Sequence, residues 1–313
     1  NPTHHSSEIV SNYESLEMNS VCISGRIISI RRMGKASFFN IQDSSGKIQI
    51  FIKKDEVGDS EYEIFQLMDI GDIVGIEGIV FKTKVGEVSV KTVKLSVLCK
   101  AIRPLPIVKE KEDEVFDAFS GKELRYRNRH LDLIVNSDVK ETFIKRSQII
   151  KSIRSFLDDM GFLEVETPVL QPIYGGANAK PFTTHHNALD QKFYLRIADE
   201  LYLKRLIIGG IDRVYEIAKD FRNEGMDRNH NPEFTMLEFY WAYADYEDNM
   251  NLVEDMIQKT AKELGAEHLN WNDEEIDLSK KFKRASFFDL VSEVLDKDVS
   301  GIEFDELLKV CME

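Results

Sequence analysis

With 313 residues, 42% hydrophobic and 31% charged, the chain has material for two cores and the polarity of a globular protein. Its formal net charge of −14 excludes an indiscriminate nucleic-acid binder, which would be basic. The acid is unevenly spread: residues 1–103 hold 13 Lys+Arg and 13 Asp+Glu, so a local patch there can still read RNA. Cys22, Cys99 and Cys311 lie far apart with no CxxC spacing, which predicts neither disulfides nor a cysteine zinc site and points to the reducing cytosol. No apolar run approaches the roughly 18 residues that span a bilayer, so no membrane partner is expected. No signal peptide is visible, and because the chain opens on Asn1 we expect its true start to be missing.

Residues 1–16 are weakly periodic and read as a partly helical lead-in. From Val21 to about Leu98 the pattern is β. VCISGRIISI, ASFFNIQD, KIQIFIK, IVGIEGIVF and EVSVKTVKLSVL are separated by turn residues such as Ser44-Ser45-Gly46 and Val85-Gly86. A helix-compatible stretch, Ser60 to Asp69, follows the third run. Five strands with a helix after the third predict an OB-type barrel over residues 17–104. Phe39, Ile41, Ile48, Ile50 and Ile52 then face inward, while Phe38, Asn40, Gln49 and Lys53 face outward. An aromatic on a polar, basic face, just downstream of Arg31, Arg32 and Lys35, is a stacking platform for an unpaired base. The plainer reading is a scattered surface phenylalanine.

Arg103-Pro104-Leu105-Pro106 ends the barrel, since two prolines cannot continue a ladder. Residues 105–138 read as a charged linker containing RYRNRHLDL. Ile149, Ile153, Phe156, Leu157 and Met160 recur at helical spacing, and Gly161 is placed to stop that helix. FLEVETPVL reads as a strand ending near Pro168. Gly175-Gly176-Ala177 is a flexible loop, wrongly spaced for a phosphate-cradling loop. His185 and His186, adjacent in a strand, point to opposite faces, which favours hydrogen bonding over metal ligation. IADELYLKRLIIGG reads as a helix following a strand that ends near Arg196, with Glu200 near its start and Leu203 and Leu206 inward. Asn249–Leu264 reads as a further amphipathic helix, and the remainder to Glu313 alternates turn and helix signals.

The most informative stretch is RVYEIAKDFRNEGMDRNHNPEFTMLEFYWAY, Arg213 to Tyr243. Two extended runs flank a polar loop. Tyr215, Ile217 and Phe221 share one face of the first run, and Glu216, Asp220, Arg222 and Glu224 the other. In the second run Leu237, Phe239, Trp241 and Tyr243 oppose Phe234, Met236, Glu238 and Tyr240. A front that mixes an arginine, carboxylates and aromatics suits a charged, planar ligand. The plainer reading is a hairpin with a solvated loop.

Phe221-Arg222-x-Glu224, a short loop, His230 and then Phe234 resemble the second signature motif of the class II aminoacyl-tRNA synthetases. The helix, strand and Pro168 upstream resemble the first motif of that family. MGKASFFNIQDSSGKIQIF, KTKVGEVSV and RPLP are similar to the subgroup with aspartyl, asparaginyl and lysyl members. GGANAKPFTTHHNALD and YLRIADELYLKRLIIGG are similar to its bacterial-type lysyl branch. Where the other branches usually carry Gln-Ser-Pro-Gln, Ala198-Asp199-Glu200-Leu201 stands here. The third motif, with its ATP-binding arginine, and the late acidic pair expected for Mg²⁺ are absent. The resemblance therefore implies a piece of a longer enzyme, inactive by itself, with its Mg²⁺ ligands beyond residue 313.

The implied fold is α+β: an anticodon-binding OB barrel, then over 139–313 a class II antiparallel sheet flanked by helices, with the first two motifs only. The implied activity is lysine–tRNA ligation, with ATP, L-lysine and tRNA-Lys as substrates and a lysyl-adenylate intermediate. Arg222 is expected to act on the α-phosphate and substrate carboxylate. Glu224, His230, Asn231 and Phe234 would bind ATP; Gly176, Glu200, Glu238 and Tyr240 would bind lysine. Arg31, Phe38, Gln49 and Glu87 would meet the anticodon, and a homodimer would form through the Phe143–Pro168 region. The alternative is a tRNA-binding or regulatory fragment without aminoacylation activity.

Overall fold

A computed structural model describes residues 1–106, 109–111, 114–116 and 119–312. The rest of the expected 105–138 linker, and Glu313, lie outside the described residues. The chain forms two compact units, Asn1–Lys140 and Glu141–Glu313.

The first unit opens with α1 (Ser6–Ser11) and α2 (Tyr13–Leu16), the helical lead-in expected from the sequence. Five strands follow: β1 (Ser20–Met33), β2 (Ala36–Gln42), β3 (Lys47–Lys53), β4 (Ile73–Lys82) and β5 (Val88–Cys99). They close a barrel in the order β1-β2-β3-β5-β4, antiparallel except for the β3–β5 pair. Strict alternation drives the closure. In β2 and β3 every second residue is buried, so Phe39, Ile41, Ile48, Ile50 and Ile52 fill the interior. After β3 come α3 (Lys54–Val57) and α4 (Asp59–Gln66), which lay Tyr62 and Phe65 against that core, as Ile9 of α1 does. β4 shifts register against β5 at Gly78, where a Cβ would lie 2.3 Å from the Lys91 carbonyl oxygen. Only glycine permits that approach. β6 (Lys109–Lys111) and β7 (Glu114–Phe116) form a short hairpin, followed by α5 (Lys122–Arg127) and α6 (Arg129–Val135). Asp132 of α6 is fully buried; against the cost of burial, a hydrogen bond from Asn136 and ion pairs with Arg125 and Arg129 hold its carboxyl below the usual range.

α7 (Ser137–Asp159) leads into the second unit. It stops as expected at Gly161, φ +77°, where the Phe162 amide bonds back to the Leu157 carbonyl at 3.0 Å. The expected strand to Pro168 breaks early. β8 is only Leu163–Glu164, parallel to β12 (Arg213–Phe221), and β9 (Leu170–Gln171) belongs to another sheet. The cause is a distant partner: the Thr167 amide and hydroxyl leave the ladder and donate to the Glu216 carboxylate at 3.1 and 2.6 Å. β9 pairs with β11 (Gln191–Leu195), which pairs with β10 (Thr183–His186). α8 (Glu200–Ile208) precedes the central hairpin, β12 (Arg213–Phe221) and β13 (Glu233–Trp241), antiparallel with Tyr215 opposite Phe239 and Glu216 opposite Glu238. Its apolar back packs Tyr215, Leu237, Phe239 and Trp241 against Phe156, Leu157 and Phe162, and against Leu252 and Met256 of α9 (Tyr246–Glu263). α9 starts three residues before the expected Asn249, because Asp245 caps it by accepting from the Glu247 and Asp248 amides. β14 (His268–Trp271), β15 (Glu274–Asp277), α10 (Phe287–Leu295) and α11 (Phe304–Met312) complete the described chain. Among the described residues no helix is long and apolar enough to cross a membrane.

Candidate functional site

In the second unit the polar front of the hairpin is built around Arg196, a residue the sequence pattern marks only as the end of a strand. Its side chain is 4% exposed. Nη1 donates to Glu216 Oε1 at 2.7 Å and to the Thr167 carbonyl at 3.2 Å, and Nε donates to the Lys219 carbonyl at 2.9 Å. Asp199 and Asp220 also lie within ion-pair distance, at 3.2 and 3.4 Å. The guanidinium donates its hydrogen bonds elsewhere, so both oxygens of each aspartate are buried without a hydrogen-bond partner. Burial pushes both carboxyls well above the usual range, with the charge of Asp220 adding to the rise at Asp199 and that of Glu238 to the rise at Asp220. Two acids on one face of β12, Glu216 and Asp220, with both cations of that strand, Arg213 and Lys219, at positions of the opposite face, were the signal for this network; its arginine lay too far away in sequence to be read.

The four residues expected to bind lysine form a neighbouring group. Glu238 accepts from the Asp199 amide at 3.2 Å through Oε1 and from the Tyr240 hydroxyl at 3.4 Å through Oε2. Burial raises the Glu238 carboxyl and the Tyr240 phenol above their ordinary values. Glu200, the first residue of α8, pairs with Lys204 one turn on, and that ammonium sits 5.9 Å from the Tyr240 ring. Gly176 abuts Glu200: at φ +87° a Cβ would lie 2.8 Å from the Glu200 Cβ. A side chain does not fit there without displacing Glu200.

Of the five ATP candidates, the structure brings two into contact. The Arg222 guanidinium lies 5.1 Å over the Phe234 ring and is half-buried. Glu224 accepts from the Lys180 amide at 3.2 Å, and the Asn223 amide donates to the Lys180 carbonyl, which fixes the start of the loop. His230 and Asn231 are at its exposed far end. His230 bonds Asp227 at 2.7 Å, and Asn231 donates to the Glu233 carbonyl. His185 and His186 are exposed on β10, paired with Asp190 and with the Leu189 amide. The one group of metal-competent side chains among the described residues is Asp199, Asp220 and Glu238.

The barrel carries a separate outer face. Strand register sets Arg31, Phe38, Phe51 and Lys91 in one row across β1, β2, β3 and β5. The adjacent row holds Asn40, Gln49, Ser89 and Phe81. Phe38 stacks on Phe51 at 4.9 Å between centroids, so its ring is half-buried by aromatic neighbours rather than isolated. Gln49 accepts from the Ser89 hydroxyl. Glu87 is exposed in the β4–β5 turn, its backbone paired with Thr83.

The family described as tRNA synthetases class II (D, K and N) matches residues 121–309, and the OB-fold nucleic acid binding domain matches residues 21–105. The chain is 51% identical over 302 residues to the lysine–tRNA ligase of Carboxydothermus hydrogenoformans, covering 96% of this chain and 60% of that protein. It is 49% identical to that of Porphyromonas gingivalis W83, covering 98% and 55%, and 51% identical to that of Clostridium botulinum Langeland, covering 97% and 58%. The chain thus spans a little over half the length of these relatives.

Proposed function

This chain belongs to the class II tRNA synthetases, and from that premise we propose that it serves the ATP-dependent attachment of L-lysine to tRNA-Lys through a lysyl-adenylate. The observation that carries the choice of lysine is the half-buried, underneutralised acid of the hairpin front. Among the described residues Glu238 meets a backbone amide and a tyrosine but no cation, at a point where an ε-ammonium would supply one. A site built on such an acid rejects neutral analogues, because its own charge is left unpaired. Gly176 and Glu200 hold the α-ammonium, which must take Glu200 from Lys204.

In adenylation the substrate carboxylate is itself the nucleophile, so the protein's task is positioning and charge neutralisation. Arg222, partly desolvated against Phe234, directs its planar fork at the α-phosphate and the attacking carboxylate. Phe234 stacks on adenine, Glu224 receives its amino group, and His230 and Asn231 meet the terminal phosphates from the loop. The Asp199–Asp220–Glu238 group lies against a buried guanidinium and does not suit hydrated Mg²⁺, which keeps several waters; no step is assigned to that ion here. Arg31, Phe38, Gln49 and Glu87 read the anticodon. Partly exposed Ile144, Ile149 and Leu163 support a homodimer contact in the 143–168 stretch. The reading also places the protein in the cytoplasm.

The test is lysine-dependent exchange of labelled pyrophosphate into ATP by the full-length protein, with ornithine and norleucine as competitors. Exchange that requires lysine is expected; its absence refutes the assignment. The same assay on residues 1–313 separates the second reading, RNA binding without activation, which the complete barrel face favours.

A further inference from the structure

Four carboxylates face one another beneath the front of the hairpin: Asp199 from the start of α8, Glu216 and Asp220 from β12, and Glu238 from β13. Arg196 is the cation within ion-pair distance of Glu216, Asp199 and Asp220, and its shortest bond goes to Glu216, which Thr167 also satisfies twice. That leaves Asp199, Asp220 and Glu238 with one oxygen each within 4.8 Å of one another. Both aspartates are 0% exposed, and none of their four oxygens has a hydrogen-bond partner. Carboxylates so close and so dry cannot all stay ionised beside one guanidinium; some positive charge must join them. Arg222 reaches Asp220 only through space and is turned to the Ile197 carbonyl, while Glu200 repels Glu238 and Tyr240 offers it one neutral hydrogen bond.

We propose that Asp199 and Asp220 hold one proton between them while the pocket is empty, and surrender it to solvent when the substrate's ammonium pairs with Glu238. The inference rests on the lysine reading above. The balance is simple: one carboxylic O–H bond breaks, its electron pair stays on oxygen, and a buffer base takes the proton. The ammonium brings the charge that the proton had supplied, so the cluster keeps its net charge through capture. A neutral side chain of equal length could not displace the proton, which makes the pair a second filter on the substrate. Asp199 and Asp220 are positioning residues here; neither touches the reacting atoms. The upward displacement of both carboxyls agrees with a proton held near neutrality.

Titration calorimetry of L-lysine into the full-length protein, at one neutral pH in two buffers of different ionisation enthalpy, reads the protons directly. About one proton released per lysine is expected. The apparent Kd should weaken about tenfold per pH unit on the acid side of the pair's titration, since proton and lysine compete. In Asp199→Asn and Asp220→Asn the buffer dependence should vanish and the pH profile flatten. Lysine binding with a buffer-independent heat in the unaltered protein overturns the inference while leaving the lysine reading intact. Proton release that persists undiminished in both variants assigns the proton to Glu238 and overturns it equally. Absence of any lysine heat overturns the lysine reading, and this inference with it.

Discussion

Replacing Arg196 by methionine keeps the side-chain length and removes the charge. The side chain is 4% exposed, and its loss strands Glu216, Asp199 and Asp220, which are 4%, 0% and 0% exposed. Breaking a buried ion pair from one side costs about 3–5 kcal/mol. A second route gives a similar figure: protonating one stranded carboxyl at neutral pH, about three units above its ordinary pKa, costs about 4 kcal/mol. For a unit of this size about 2–4 °C is lost per kcal/mol, so the second unit's melting transition should fall by about 6–20 °C. The sign with pH follows. Burial already lifts the Asp199 and Asp220 carboxyls above their unfolded values, and losing the cation lifts them further, so the variant loses more stability than wild type as pH rises through the raised values. The gap between wild type and Arg196→Met should therefore be widest near about pH 8 and close towards about pH 4. Adding Glu216→Gln to the variant should restore part of the loss, since one stranded charge is gone. Scanning calorimetry at several pH values is the assay. A drop under about 2 °C, or a gap indifferent to pH, would refute the reasoning.

Glu238→Gln should lower kcat/KM for lysine at least about tenfold in pyrophosphate exchange by the full-length protein, with KM for ATP nearly unchanged. Unaltered lysine activation would leave Glu238 a purely structural residue. Phe38→Ala should weaken tRNA binding by about 1–3 kcal/mol in a filter-binding assay, with exchange activity unaffected; the reverse pattern would remove the barrel face from recognition. Gly176→Ala meets the Glu200 Cβ at 2.8 Å from a left-handed backbone. Strain of about 1–3 kcal/mol should appear mainly as a raised KM for lysine, and a lysine KM equal to wild type would argue against the contact.

The parts legible in the sequence were those governed by short-range periodicity. Alternation in ASFFNIQ and KIQIFIK sorted inward isoleucines from outward Phe38 and Gln49 without error, because a barrel strand has only two faces. Gly161 announced the end of α7 for a similarly local reason. FLEVETPVL looked continuous yet breaks after Glu164, since Thr167 serves the Glu216 carboxylate, a partner 49 residues away. α9 begins at Tyr246 rather than Asn249, because the Asp245 cap adds a first turn that the apolar spacing does not mark. In the site, the hairpin order exposed Arg222, Glu224, Phe234 and Glu238. The buried pair behind them stayed hidden: Asp199 and Asp220 meet only after the strand ending near Arg196 and the hairpin are brought side by side.

The two rows on the barrel's outer face have a consequence for how this protein can change over generations. Arg31, Phe38, Phe51 and Lys91 share a row because four strands keep a fixed register. Substitution at any one of them alters a single contact. Gaining or losing one residue within β2 would turn Phe39 outward and bury Phe38, exchanging the outer face for the core along the strand. Closure leaves no free edge at which such a slip could be absorbed. Drift in this unit is therefore confined to residue identity within strands and to length within turns such as Ser44–Gly46 and Lys84–Gly86.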